Sequence, residues 1–159
     1  MRVTTHNLTL QGEERIPYLV RESTKNYPQI SRVTTPSEAV RVVNTVFEAN
    51  KQAEEHCYMI AMRSARIVGV FEVSHGTVNA SVITPKELLT RVLLVSASSF
   101  LFFHNHPSGD SYPSREDRKI TKTIKDASEI MGIDFLDHII IGENDIDYYS
   151  FAKSSEIFK

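Results

Sequence analysis

The sequence predicts an α/β domain in which a mixed central β-sheet is flanked by helices, and three observations carry that prediction. Helix-start signals of the form Thr-Pro-x-Glu occur twice, each followed by apolar residues at helical spacing. Short apolar runs bounded by turn residues, such as "FLFFHN", have the length of strands rather than helices. The signals follow one another roughly as α, β, β, α, β, α, β, β, so that helices alternate with strand pairs along the chain.

A length of 159 residues with 41% hydrophobic and 24% charged residues fits one domain with an ordinary core. No apolar stretch approaches the ~20 residues of a membrane span. The first residues, "MRVTTHNLTLQGEERIPYLV", contain no apolar signal region, so no signal peptide is expected. The single cysteine, Cys57, excludes an internal disulfide and suits a reducing, cytoplasmic setting. A net charge of −2 argues against a general nucleic-acid binder, which carries a marked basic excess.

Residues 1–35 are polar and interrupted by Pro17 and Pro28; they read as an extension or arm with one short strand near Ile16–Val20, leaving 36–159 as the folded domain. In "TPSEAVRVVNTVFEAN", Thr35 is placed to N-cap, Pro36 suits the first helical position and Glu38 closes a capping box. Ala39, Val42, Val43, Val46 and Phe47 then form one face. The apolar runs 57–62 and 67–73 flank "RSAR" and read as a hairpin, after which Gly76 and Asn79 mark a bend before Val82. Thr84, Pro85 and Glu87 repeat the capping box, with Leu88, Val92 and Val95 as the stripe. "FLFFHN" suits a strand buried on both faces. A third helix starts near Ser114, with Ile120, Ile124, Ala127 and Met131 on one face and Gly132 ending it. "IDFLDHIIIG" and "YYSF" read as closing strands.

The residues that could do chemistry lie between the third strand and the third helix. His104 and His106 are two apart on a strand, hence on one face and able to converge on one point. An isolated His-x-His is more often a pair of ordinary hydrogen-bonded histidines. Pro107, Ser108, Gly109, Asp110 and Pro113 then make a compact turn into the helix, where Ser114 and Asp117 form a cap of ordinary appearance. Helical phase adds to this: Asp117 nearly eclipses Ile124, so its carboxylate points inwards, where an unpaired charge is costly. Two imidazole nitrogens and one carboxylate oxygen are a zinc set that leaves a fourth position for water, the pattern of a catalytic site. Acid–base chemistry there needs a further carboxylate. Glu54, Glu55 and Glu72 are the candidates, and spacing does not choose among them.

"HNHPSGDSYPSREDRKIT", with "GTVNASVITPKEL" before it and "GIDFLDHIIIG" after it, closely resembles the RadC family, whose domains belong to the JAB/MPN superfamily of metal-dependent peptidases and isopeptidases. The resemblance covers roughly residues 36–155. The superfamily's JAMM motif, Glu far upstream and then His-x-His-x7-Ser-x2-Asp, is met without departure by His104, His106, Ser114 and Asp117. The resemblance implies a cytidine-deaminase-like fold and one zinc per chain on His104, His106 and Asp117. It implies Glu55 as general base and proton shuttle, with Glu54 one register away, and Ser114 as hydrogen-bond donor to the oxyanion. The implied reaction is hydrolysis of a peptide or isopeptide bond in a peptide or protein substrate. Full-length members usually carry a helix-hairpin-helix DNA-binding region; residues 1–35 are too short for it and lack its Gly-hairpin pattern, so the DNA-repair name attached to the family is expected to transfer poorly.

Two other functions compete with this. A DNA-processing factor is invited by the letters HNH, although in HNH nucleases those residues are dispersed over a ββα unit. A metal-binding interaction module without peptidase activity is the other. Arg115, Arg118, Lys119, Lys122 and Lys125 form a basic face, favoured as solvated surface. His138 is expected in the core or behind the metal ligands, His6, His56 and His75 in surface or structural roles, and Cys57 as a small buried hydrophobe.

Overall fold

A computed structural model of the chain describes residues 1–28, 30, 33–76 and 83–158. Its strands are β1 (Arg2–Gln11), β2 (Ile16–Asn26), β3 (His56–Arg63), β4 (Arg66–His75), β5 (Ser99–Asn105), β6 (Asp134–Ile141) and β7 (Tyr148–Ser150). Its helices are α1 (Pro36–Phe47), α2 (Pro85–Leu94), α3 (Arg115–Met131) and α4 (Phe151–Ser154), with one 3-10 turn at Ala49–Lys51. The strands form a single mixed sheet in the order β2-β1-β4-β3-β5-β6-β7. β5 runs parallel to β6 and antiparallel to β3.

The sequence signals act as local physics requires. Thr35 accepts from the Glu38 amide while the Glu38 carboxylate accepts from the Thr35 amide, so two of the helix's orphan donors are satisfied reciprocally. At α2 the Glu87 carboxylate accepts from the Thr84 amide (2.9 Å), while the Glu87 amide donates to the Thr84 carbonyl (3.2 Å). The β3–β4 hairpin turns on Ser64 and Ala65, both at positive φ (49° and 60°), the twist that a two-residue hairpin demands.

Strand alternation divides the core. On β3, Tyr58, Ile60 and Met62 pack towards α1, with Leu101 and Phe103 of β5. Cys57, Met59 and Ala61 pack towards α2 and α3, with Phe100 and Phe102. Every residue of β5 is buried, as expected of a strand covered on both faces. His104 continues the Phe100–Phe102 row and therefore faces α3.

Three expectations need correction. Residues 2–26 are not an arm with one short strand: β1 and β2 form a long antiparallel hairpin joined to the sheet through the parallel bridge Thr5–Val70. Only Val3 and Thr5 of this hairpin are buried, so it is held by its backbone ladder and leaves little apolar alternation in the sequence. The inward line of α3 is Asp117, Thr121, Ile124 and Ser128, whereas Met131 is half exposed. That line is largely polar because it faces the candidate site. Finally, the "YYSF" segment begins as strand β7 but passes directly into α4 at Phe151. The bend assigned to Asn79 and the residue Val82 lie outside the described residues.

α4 is anchored by a buried carboxylate. Asp137 accepts from Ser150 Oγ (2.5 Å) and from the Ala152 amide (2.9 Å). Burial pushes its carboxyl up to about 6, against the pull of those hydrogen bonds. The folded state thus holds a proton that the unfolded chain has released, so stability falls as pH rises from about 4, the unfolded value, through about 6. The loss is on the order of 3 kcal/mol. Urea unfolding at a series of pH values should show this slope in the wild type and its absence in Asp137→Asn.

Candidate metal centre

β5, the turn after it and the first turn of α3 converge at one end of the sheet. The His106 amide donates to the Ile141 carbonyl (2.9 Å), which extends the β5–β6 ladder by one residue and keeps His106 in the strand's alternation. The His106 carbonyl accepts from the Gly109 amide, and Gly109 adopts φ 82°, a value glycine takes without strain. Ser114 then N-caps α3. Its amide (2.7 Å) and Oγ (2.6 Å) both donate to Asp117 Oδ2, and its Oγ accepts from the Asp117 amide (3.1 Å). The cap and the inward carboxylate are therefore the same residues.

His104 Nε2 and His106 Nε2 lie 3.0 Å apart. Asp117 Oδ1 is 3.2 Å from His104 Nε2, and Asp117 Oδ2 is 3.6 Å from His106 Nε2. Among the described residues, this is the one group of three or more potential ligands with mutually close donor atoms. A tetrahedral ion with bonds of about 2.0–2.1 Å needs ligand atoms about 3.3 Å apart. One ligand atom from each of the three side chains lies within 4.8 Å of the others, so two nitrogens and an anionic oxygen face one point and their chemistry fits a divalent ion.

The electrostatics agree. Burial works to raise the Asp117 carboxyl, but hydrogen bonds from His104 and His106, the His104 charge and Ser114 outweigh it and hold the group far below the usual carboxylate range. Burial works to lower His106, yet the hydrogen bonds to Asp117 and to the Asp110 carbonyl, with the charges of Asp117 and Glu55, leave it raised. Asp117 is an anion in all ordinary conditions, and the pocket favours positive charge.

The three glutamates are separated by their surroundings. Glu72 accepts from His56 Nδ1 (2.9 Å) and lies 3.4 Å from His75 Nδ1, so it is engaged elsewhere. Glu54 is exposed, and its backbone carbonyl accepts from Asn105 Nδ2 (3.0 Å). Glu55 is half-buried and its charge raises both His106 and Cys57. Asn105 also accepts from the His56 amide (2.8 Å), while the Glu55 carbonyl accepts from the Gly76 amide (3.1 Å). The middle residue of His-Asn-His thus clamps the backbone on both sides of Glu55, a role invisible in sequence because it spans 51 positions.

One further residue, Thr121, escaped sequence reasoning. His138 Nε2 is 2.9 Å from His104 Nδ1, and His138 Nδ1 is 2.5 Å from Thr121 Oγ1. A histidine behind the ligands was expected; its link to Thr121 was not. Burial pushes the Cys57 thiol up to about 12, with Glu55 and Asp117 adding to the rise, so it stays protonated and inert as a nucleophile. The basic face of α3 is largely neutralised: Arg118 pairs with Glu156, Lys122 with Asp126 and Lys125 with Glu129.

A family model described as "RadC-like JAB domain" matches residues 33–156. A UPF0758 protein of Coprothermobacter proteolyticus is 39% identical over 117 residues, covering 72% of this chain and 50% of the relative. One from Clostridium acetobutylicum is 40% identical over 113 residues, covering 70% and 48%. One from Desulforamulus reducens reaches 56% identity over 72 residues, covering 45% and 32%. The chain spans about half the length of the curated relatives it matches.

Proposed function

This chain belongs to the RadC-like JAB domain family, and from that premise we propose that it is a zinc-dependent hydrolase of the JAMM type, acting on peptide or isopeptide bonds. The observation that carries the reading is the convergence of one ligand atom each from His104, His106 and Asp117 within 4.8 Å of one another, beside a half-buried glutamate.

His104, His106 and Asp117 would hold the ion. Zinc supplies Lewis acidity there, polarising a carbonyl and acidifying a water. Glu55 takes the proton of the attacking water and delivers it to the leaving amine, as a general base and then acid. Asn105 and Gly76 fix its backbone for that task. Ser114 donates to the oxygen that gains negative charge. Its single hydrogen rests on Asp117 Oδ2, so donation requires rotation about the Cβ–Oγ bond. The raised Cys57 thiol argues against a covalent thiol route, and the paired cations of α3 argue against a nucleic-acid substrate.

The direct test profiles a peptide library containing Lys-linked isopeptides, with zinc-loaded protein, with and without a chelator. Cleavage that the chelator abolishes and zinc restores is the expected result. Chelator-insensitive cleavage, or metal-dependent cleavage of DNA with no peptide turnover, would replace this reading.

A further inference from the structure

Behind the ligands, four groups stand in line: His104 Nδ1, the two ring nitrogens of His138, Thr121 Oγ1 and the Asp117 backbone carbonyl. The links measure 2.9, 2.5 and 2.5 Å. His138 is fully buried, its ring stacked on Phe151 with centroids 5.0 Å apart and Phe102 tilted against it at 4.6 Å. No water is needed to complete the line.

On this line we propose that Thr121 is a positioning residue for the metal centre, selecting through His138 the tautomer of His104 that binds metal. The inference rests on the metal reading above. A neutral His104 that offers its Nε2 lone pair to an ion carries its hydrogen on Nδ1. That hydrogen goes to His138 Nε2. A neutral His138 accepting there carries its own hydrogen on Nδ1. The acceptor for that hydrogen is Thr121 Oγ1, whose one hydrogen then points to the Asp117 carbonyl. Each link forces the next. A reverse direction, with Thr121 donating to His138 Nδ1, His138 Nε2–H to His104 Nδ1 and His104 Nε2–H to Asp117 Oδ1, gives up the bond from Thr121 Oγ1 to the Asp117 carbonyl. Only the ion-binding direction satisfies every link, because there the Thr121 hydroxyl accepts from His138 and donates to the Asp117 carbonyl. The same turn of α3 therefore supplies one ligand directly, through the Asp117 carboxylate, and orients another through the Asp117 carbonyl.

Thr121→Val keeps the shape and removes the hydroxyl. The ion-binding direction then leaves a buried His138 N–H without an acceptor, a state that folded proteins avoid more strongly than a missing donor. Zinc affinity, measured by competition with a chromogenic chelator, is expected to fall about 10–100-fold, and Thr121→Ser is expected to restore it. Nitrogen-15 NMR of the zinc-loaded wild type, at a pH where both histidines are neutral, should show His138 protonated at Nδ1. Valine binding zinc as tightly as threonine, serine failing to rescue, or His138 protonated at Nε2 in the loaded wild type would each overturn the relay. The NMR result decides even if the valine variant does not fold. These outcomes leave the metal reading standing; a wild type that binds no zinc would remove both.

Discussion

Asp117→Asn is expected to lower bound zinc from about one per chain to almost none after dialysis, by elemental analysis, with helix content and cooperative unfolding retained. The substitution separates two duties of one residue. Asparagine still presents an oxygen to the Ser114 amide and hydroxyl, so the α3 cap, typically worth ~1 kcal/mol, persists. It lacks the charge that two imidazole nitrogens at 3.2 and 3.6 Å share. The carboxylate is the anionic donor of this set, and losing one of three protein ligands leaves only a histidine pair. Any peptidase activity falls with the metal. Zinc retained at full stoichiometry would mean that the carboxylate serves the helix cap alone.

Glu55→Gln is expected to do the opposite: keep zinc and fold, and lose about 10²- to 10⁴-fold in kcat, the range of a missing general base. The amide is nearly isosteric, and the Asn105 and Gly76 contacts are to backbone atoms flanking it, so the segment stays in place. Glu54→Gln and Glu72→Gln serve as controls, the first on an exposed side chain and the second on one bound to His56. A larger loss in either control than in Glu55→Gln would reassign the base.

What could be read in the sequence follows from the range of each interaction. His104 and His106 share a face because strand period is two, and Asp117 points inwards because seven residues nearly close two helical turns. Both facts are local, so the convergence of these three side chains was legible before any contact was known. The capping boxes at Thr35, Thr84 and Ser114 are local too, and all three form. Glu55, Asn105, Thr121 and His138 act across strand order, through contacts separated by 17 to 51 positions. Those depend on β3, β5 and β6 lying side by side, which periodicity does not encode. The choice of Glu55 came from family resemblance, since spacing left it level with Glu54 and Glu72. The β1–β2 hairpin was missed for another reason: it buries only Val3 and Thr5 and so writes almost no pattern. Met131 was misassigned because an apolar stripe was expected where the helix faces a polar site.

X-ray absorption at the zinc edge of the loaded wild-type chain tests the central claim most directly. The account predicts one ion per chain with two imidazole nitrogens at about 2.0–2.1 Å, the rest of the shell oxygen, and loss of the imidazole signal in a His104→Ala/His106→Ala double variant. A sulfur neighbour at about 2.3 Å, or an unchanged shell in the double variant, would place the ion elsewhere and contradict it.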